Sequence, residues 1–232
     1  MPKSLTFAVL ALLLASCGAP RPRQNAPQSP AAQGANPRPL AGSVVYRIDP
    51  GHSELRLLVY RAGPMALLGH NHVIVNRSVT GRIDFAGTAT ASSFSLSVAA
   101  AGFVVDEAQA RSEEGPDFSG EISADAKAGT LHNMLSAGLL DAAHYPVITV
   151  RSAGITGAKG ALTATLVISV AGHESKIAVP FTFEAASRRL SAVGTLDLRQ
   201  STLGLTPFSV MLGALQVQDD MRVKFSIVAL AT

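Results

Sequence analysis

Apolar residues recur at every second position along most of the chain after residue 43. The clearest stretch is 161–183, where Leu162, Leu166, Ile168 and Val170 share one face and Ile177, Val179, Phe181 and Phe183 share another. Successive side chains of a strand point to opposite sides, so each arm has one continuous apolar face. Ala171-Gly172-His173-Glu174 lies between the arms and supplies a turn, so the pattern predicts a long amphipathic hairpin. The same alternation predicts further strands. Residues 44–48 and 53–60 read as one strand broken at Asp49-Pro50-Gly51, with Leu55, Leu57 and Val59 on one side and Glu54 and Arg56 on the other. Val79, Ile83 and Phe85 face inward from 78–85, with Arg82 and Asp84 outward. Phe94, Leu96 and Val98 form the next face, and residues 147–151 another strand. Leu190, Ala192, Gly194, Leu196 and Leu198 line 188–198, and Met221, Val223, Phe225 and Ile227 line 217–228.

Between residues 107 and 143 the period changes. Ile122, Ala126, Leu131, Met134 and Leu135 stand at helical spacing, with Ser119 as a start signal and Gly138 as a stop. The expected architecture is all-β and mainly antiparallel: an eight- to nine-stranded barrel with a helical insert near 107–143. Closure covers every apolar face and leaves no open edge.

The N-terminal region follows a different logic. Residues 1–16 combine Lys3 with an apolar run of about ten residues, too short to cross a bilayer comfortably. Leu14-Ala15-Ser16-Cys17 follows and resembles a bacterial lipobox, in which the cysteine becomes the lipid-bearing first residue of the mature chain. Residues 18–43 hold six prolines among Ala, Gln, Asn and Ser without apolar periodicity, which predicts a tether. Its reach is roughly 30 Å as a coil and about 80 Å if extended. The expected organisation is therefore a signal peptide at 1–16, a lipidated Cys17 with a linker at 17–43, and one barrel domain at 44–232. It predicts a lipid-anchored protein of the bacterial cell envelope that faces the periplasm, on the outer-membrane side.

The formal charge of +3 is misleading. Lys3, Arg21, Arg23 and Arg38 precede residue 44, where no acid occurs, which leaves 15 of the 19 bases against all 16 acids. With no basic stripe interleaved with aromatics, no nucleic-acid partner is expected. The single cysteine excludes an internal disulfide.

Candidate chemistry is sparse. An eight-stranded barrel has room for its own side chains or for one slender guest. Gly81, Ala164, Ala192 and Gly194 on inward faces would leave space. His70-x-His72 sets two imidazoles at a spacing that suits zinc or copper, with His52 or Glu54 as a possible further ligand. This supports one alternative, a metal-binding protein or metal-assisted hydrolase. A barrel filled by its own side chains, acting as an interaction module, is another. His132, His144 and His173 read as surface or capping residues. No Gly-x-Ser-x-Gly elbow, phosphate loop or dinucleotide fingerprint occurs, and neither a catalytic residue nor a cofactor is expected.

Four segments, in order, carry a resemblance. Tyr46-Arg47-Ile48-Asp49-Pro50-Gly51-His52-Ser53 resembles the opening of YceI-like proteins. Gly81-Arg82-Ile83-Asp84-Phe85 is similar to a second segment of that family. Leu139-Leu140-Asp141-Ala142-Ala143-His144-Tyr145-Pro146, with the strand 147–152 after it, is similar to a third, and 217–228 to the closing strand. The resemblance implies a lipocalin-like barrel with an elongated apolar lumen that binds a polyisoprenoid or similar amphiphile, without enzymatic activity. The ligand-binding residues expected on that basis are Leu55, Leu57, Val59, Ile83, Phe85, Phe94, Leu96, Leu166, Ile168, Val179, Phe181, Leu196, Val223 and Phe225. The expected partners are that lipid ligand and, through the anchor, a membrane.

Overall fold

In the computed structural model, residues 42–232 are described. The expected leader, Cys17 and the linker up to residue 41 lie outside them. Among the described residues, twelve strands form one antiparallel sheet. Six of them arise in broken pairs: β1 (Val44–Ile48) with β2 (Glu54–Ala62), β3 (His72–Asn76) with β4 (Val79–Phe85), and β5 (Ser93–Ala99) with β6 (Phe103–Val105). Then follow β7 (Val147–Ala158), β8 (Ala161–Val170), β9 (His173–Ala186), β10 (Arg189–Arg199), the two-residue β11 (Ser209–Val210) and the long β12 (Leu215–Ala231).

The sheet closes on itself in the circuit β1-β4-β5-β7-β8-β9-β10-β12, and β12 pairs back to β1. Further along, β12 pairs with β2, β2 with β3, and β3 with β6. Each broken pair thus acts as one bent stave, and the staves number eight. The first break lies where the proline signal put it. Pro50–His52 forms a single 3-10 turn, with the Asp49 carboxylate accepting from the Gly51 N–H at 3.1 Å. Ser53, buried just after it, exchanges two hydrogen bonds with the backbone of Val228 and ties the bend to β12.

The helical excursion is shorter than its sequence span. It holds α1 (Ala108–Ser112) and α2 (Ala124–Leu135), with a 3-10 turn at Pro116–Phe118 between them. The cap of α2 is Ser123, whose hydroxyl accepts from the Ala126 N–H, not Ser119 as expected. Ser119 instead ends the 3-10 turn before it. The helix stops at Ser136, two residues before Gly138, and hydrogen-bonded turns lead on to Tyr145. Because β7 starts opposite Ala99, β6 has no strand on its outer side among the described residues, and α2 packs there. Met134 and Leu140 thereby enter the same apolar core as Ile74, Val79 and Val223.

Three further expectations are corrected. The β8–β9 turn is tighter than four residues. Ala171 and Gly172 both have positive φ, as a two-residue type I′ turn requires, and His173 already pairs with Val170. Arg82 and Asp84, expected to face water, are buried and paired with each other. Finally, two of the four small residues do not open the lumen. A Cβ on Gly81 would strike the Ser95 carbonyl, and the space at Gly194 is occupied by the Phe225 ring.

Candidate functional site

The barrel encloses a cavity of about 390 Å³, within the usual range of small-ligand pockets. Its lining is mostly aliphatic and aromatic, and a space of this size speaks against a barrel packed shut by its own side chains. Thirteen of the fourteen expected ligand-binding residues face it: Leu55, Leu57, Val59, Ile83, Phe94, Leu96, Leu166, Ile168, Val179, Phe181, Leu196, Val223 and Phe225. Ala164 and Ala192 face it as well. Phe85 does not. It stacks edge-on to Tyr46 and packs on Phe183, with ring centroids 6.1 and 5.8 Å away. These three rings lie at the end where β1 begins and β4 and β9 end, and they fill it.

Polar lining residues gather at the opposite end. Arg61, His70, His72, Thr130, Asn133, Gln200 and Gln216 all lie where β2 ends and β3 and β12 begin. The cavity is therefore polar-tipped at one end and apolar along its length, a shape suited to a molecule with a headgroup and a tail.

At this end one group organises the rest. Asp106, directly after β6, is wholly buried and has φ of +56°. One carboxylate oxygen accepts from the Val73 N–H at 2.9 Å and from the Arg111 guanidinium at 2.6 Å. The other accepts from His72 Nδ1 at 2.7 Å. An ionised carboxylate only accepts, so Nδ1 carries the proton and Nε2 points towards Thr130 Oγ1, 3.5 Å away, and the cavity. Arg111 is itself buried and also donates to the Asn71 carbonyl. Arg61 donates to the Gly69 carbonyl. Two cations thus brace the loop between β2 and β3 from below.

Burial alone would raise the Asp106 pKa, but hydrogen bonds from His72, Val73 and Arg111, with the charge of His72, hold it below the ordinary aspartate value. A depressed carboxyl contributes stability above its unfolded pKa and loses it as pH falls through its folded one. The urea midpoint should therefore be flat above about pH 5 and fall below about pH 4, with a shallower fall in Asp106→Asn. An identical acid slope in both proteins would count against this.

The metal alternative fares differently. His70 and His72 do come together, with ring centroids 6.2 Å apart. Their proposed companions are engaged elsewhere: His52 with Asp49, and Glu54 with Arg56 and Arg77. Among the described residues no group of three His, Cys, Asp or Glu side chains is placed to hold a metal ion. His144 pairs with Asp141 at the surface, and His173 packs against Gly204.

Sequence reading missed Asp106, Arg111 and Thr130. The only local signal was an aspartate at a strand end, one of the few side chains that tolerates left-handed backbone. Its partners come from two other elements, His72 and Val73 from β3 and Arg111 from α1.

No curated protein matches the chain. Among solved structures, BcnA of Burkholderia cenocepacia superposes with a TM-score of 0.58 at 16% identity, covering 78% of this chain and 98% of its own. A polyisoprenoid binding domain from Saccharophagus degradans, implicated in plant cell wall breakdown, gives 0.54 at 15% identity, covering 82% and 99%. Likeness at these identities is one of fold. The model of the YceI-like domain matches residues 46–229, from within β1 almost to the end of β12, and the chain belongs to that family.

Proposed function

We propose that this protein is a non-enzymatic carrier of one amphiphilic lipid, a polyisoprenoid or a chain of similar girth, held tail-inward in the barrel. The observation that supports this most is the cavity: one continuous apolar bore that ends in a cluster of neutral and basic polar groups. Each methylene buried there contributes about 0.8 kcal/mol, so a tail needs no charged anchor to bind. The headgroup would lie near His72, whose Nε2 is held at the mouth by the buried Asp106. That a similar fold from Saccharophagus degradans is a polyisoprenoid binding domain favours the isoprenoid among possible tails.

The leader pattern supports a lipid-anchored envelope protein, tethered through Cys17 and facing the periplasm. A tether of about 80 Å at full stretch would keep the barrel close to its membrane while leaving it free to turn. Organic extraction of the purified full chain, followed by mass spectrometry of the extract, tests the carrier reading.

A further inference from the structure

The two loops that flank the cavity opening carry large apolar side chains on their outer tips. In the loop between β2 and β3, Leu67 is 86% exposed and Leu68 is 67% exposed. In the loop before β12, Met211 is 63% exposed and Leu212 fully exposed. Buried apolar area is the main driving force of folding, and four such side chains held in water at two neighbouring tips call for a partner.

The loops touch. The Met65 N–H donates to the Ala214 carbonyl at 2.8 Å, and a Cβ on Gly63 would strike the carbonyls of Gly213 and Ala214. They are also braced. Arg61 holds Gly69 from below, and Asn71 donates to the Asp117 carbonyl. Met211 and Leu212 have φ of +53° and +57°, a left-handed backbone that bulky residues rarely adopt. The fold thus holds these side chains outward on a fixed base.

The chemistry of the tips selects the partner. Residues 63–71 and 204–214 contain no Asp, Glu, Lys or Arg. Exposed loops are ordinarily polar, and a protein partner is ordinarily met with a polar rim. Two charge-free loops with aliphatic tips fit the acyl region of a bilayer, where any charge would be costly. The patch is also continuous with the bore, because Gly69, His70 and Phe208 of the same loops, with Leu215 at the start of β12, line the cavity. The described chain begins at the end of the barrel away from these loops, and a linker over 18–43, as its sequence pattern predicts, would reach up to about 80 Å.

We infer that the barrel docks mouth-down on a lipid bilayer, with Leu67, Leu68, Met211 and Leu212 inserted among the acyl chains, so that a lipid passes between membrane and cavity without crossing water. The inference rests on the carrier reading for its purpose, but the docking surface stands on its own geometry.

The chain contains no tryptophan, so one introduced residue is a local reporter. The full chain carrying Leu212→Trp or Leu67→Trp should show a blue-shifted emission on phosphatidylethanolamine–phosphatidylglycerol vesicles and lose intensity when the acyl chains are brominated. Val193→Trp, on the outer wall of β10, should do neither. Attachment through any other part of the chain leaves these readings unchanged. No quenching at the tips overturns the inference, as does equal quenching at position 193. A blue shift that needs no vesicles and grows with protein concentration would assign the patch to a second copy of the chain and overturn it too. A vesicle-inserting protein whose extract holds no lipid would sink the carrier reading alone; a lipid-loaded protein with unquenched tips would sink the docking alone.

Discussion

Ala192→Trp is expected to empty the barrel while leaving it folded. Ala192 lies on β10 between Phe183 of β9 and Ile227 of β12, with its methyl group towards the cavity. An indole there projects into open space, so its overpacking cost should fall at or below the usual 1–3 kcal/mol. The guest suffers more. Displacing only three methylene groups of a bound tail removes roughly 2.4 kcal/mol, more than tenfold in affinity. Because strands alternate, the next residue is the natural control: Val193 faces outward and is half exposed. Lipid recovered per mole of protein should drop at least tenfold in Ala192→Trp and stay unchanged in Val193→Trp. Equal recovery from both would mean that no guest occupies this part of the bore.

The second large effect concerns stability. Asp106→Ala removes the acceptor for the Val73 N–H, His72 and Arg111 at once. It strands a buried guanidinium, and breaking a buried ion pair from one side typically costs about 3–5 kcal/mol. It also places alanine at φ of +56°, where aspartate and asparagine are better tolerated. The expected loss is about 4 kcal/mol, a large share of the 5–15 kcal/mol that holds an ordinary domain together. Asp106→Asn keeps the shape and the acceptor for Val73 but not the charge, so its loss should be smaller. Urea unfolding followed by circular dichroism reads both. A cost under about 1 kcal/mol for Asp106→Ala would mean that water reaches Arg111 and that the network is not sealed.

The strands and the inward faces of the barrel were legible because both depend on a period of two, a property of the chain itself. Leu55, Leu57 and Val59, or Met221, Val223 and Phe225, face one way in any antiparallel sheet that buries them. The break at Asp49-Pro50-Gly51 was legible because proline and aspartate carry their turn preference locally. What escaped depends on which strand lies beside which. Gly194 looked like a gap, yet its neighbour across the ladder is Phe225, which fills that gap. Phe85 shared the inward pattern of Ile83, but it lies at the closed end against Tyr46 and Phe183 rather than along the bore. Asp106 could not be seen as the anchor of His72, 34 residues away, because no local rule brings β6 beside β3. His70 and His72 were noticed for their spacing, but the nearest acid turned out to be a hydrogen-bond acceptor for one ring rather than a third metal ligand. The apolar loop tips were passed over because an isolated leucine in a loop is unremarkable in sequence. Leu67, Leu68, Met211 and Leu212 matter only once the fold sets two loops around one opening.

The most direct test of the account is to weigh what the barrel carries. The purified full chain, extracted into organic solvent and analysed by mass spectrometry, should yield about one mole of an amphiphile with a long apolar tail per mole of protein, and far less from Ala192→Trp. An extract with no such lipid from the unaltered chain, repeated after incubation with membrane lipid, would contradict it.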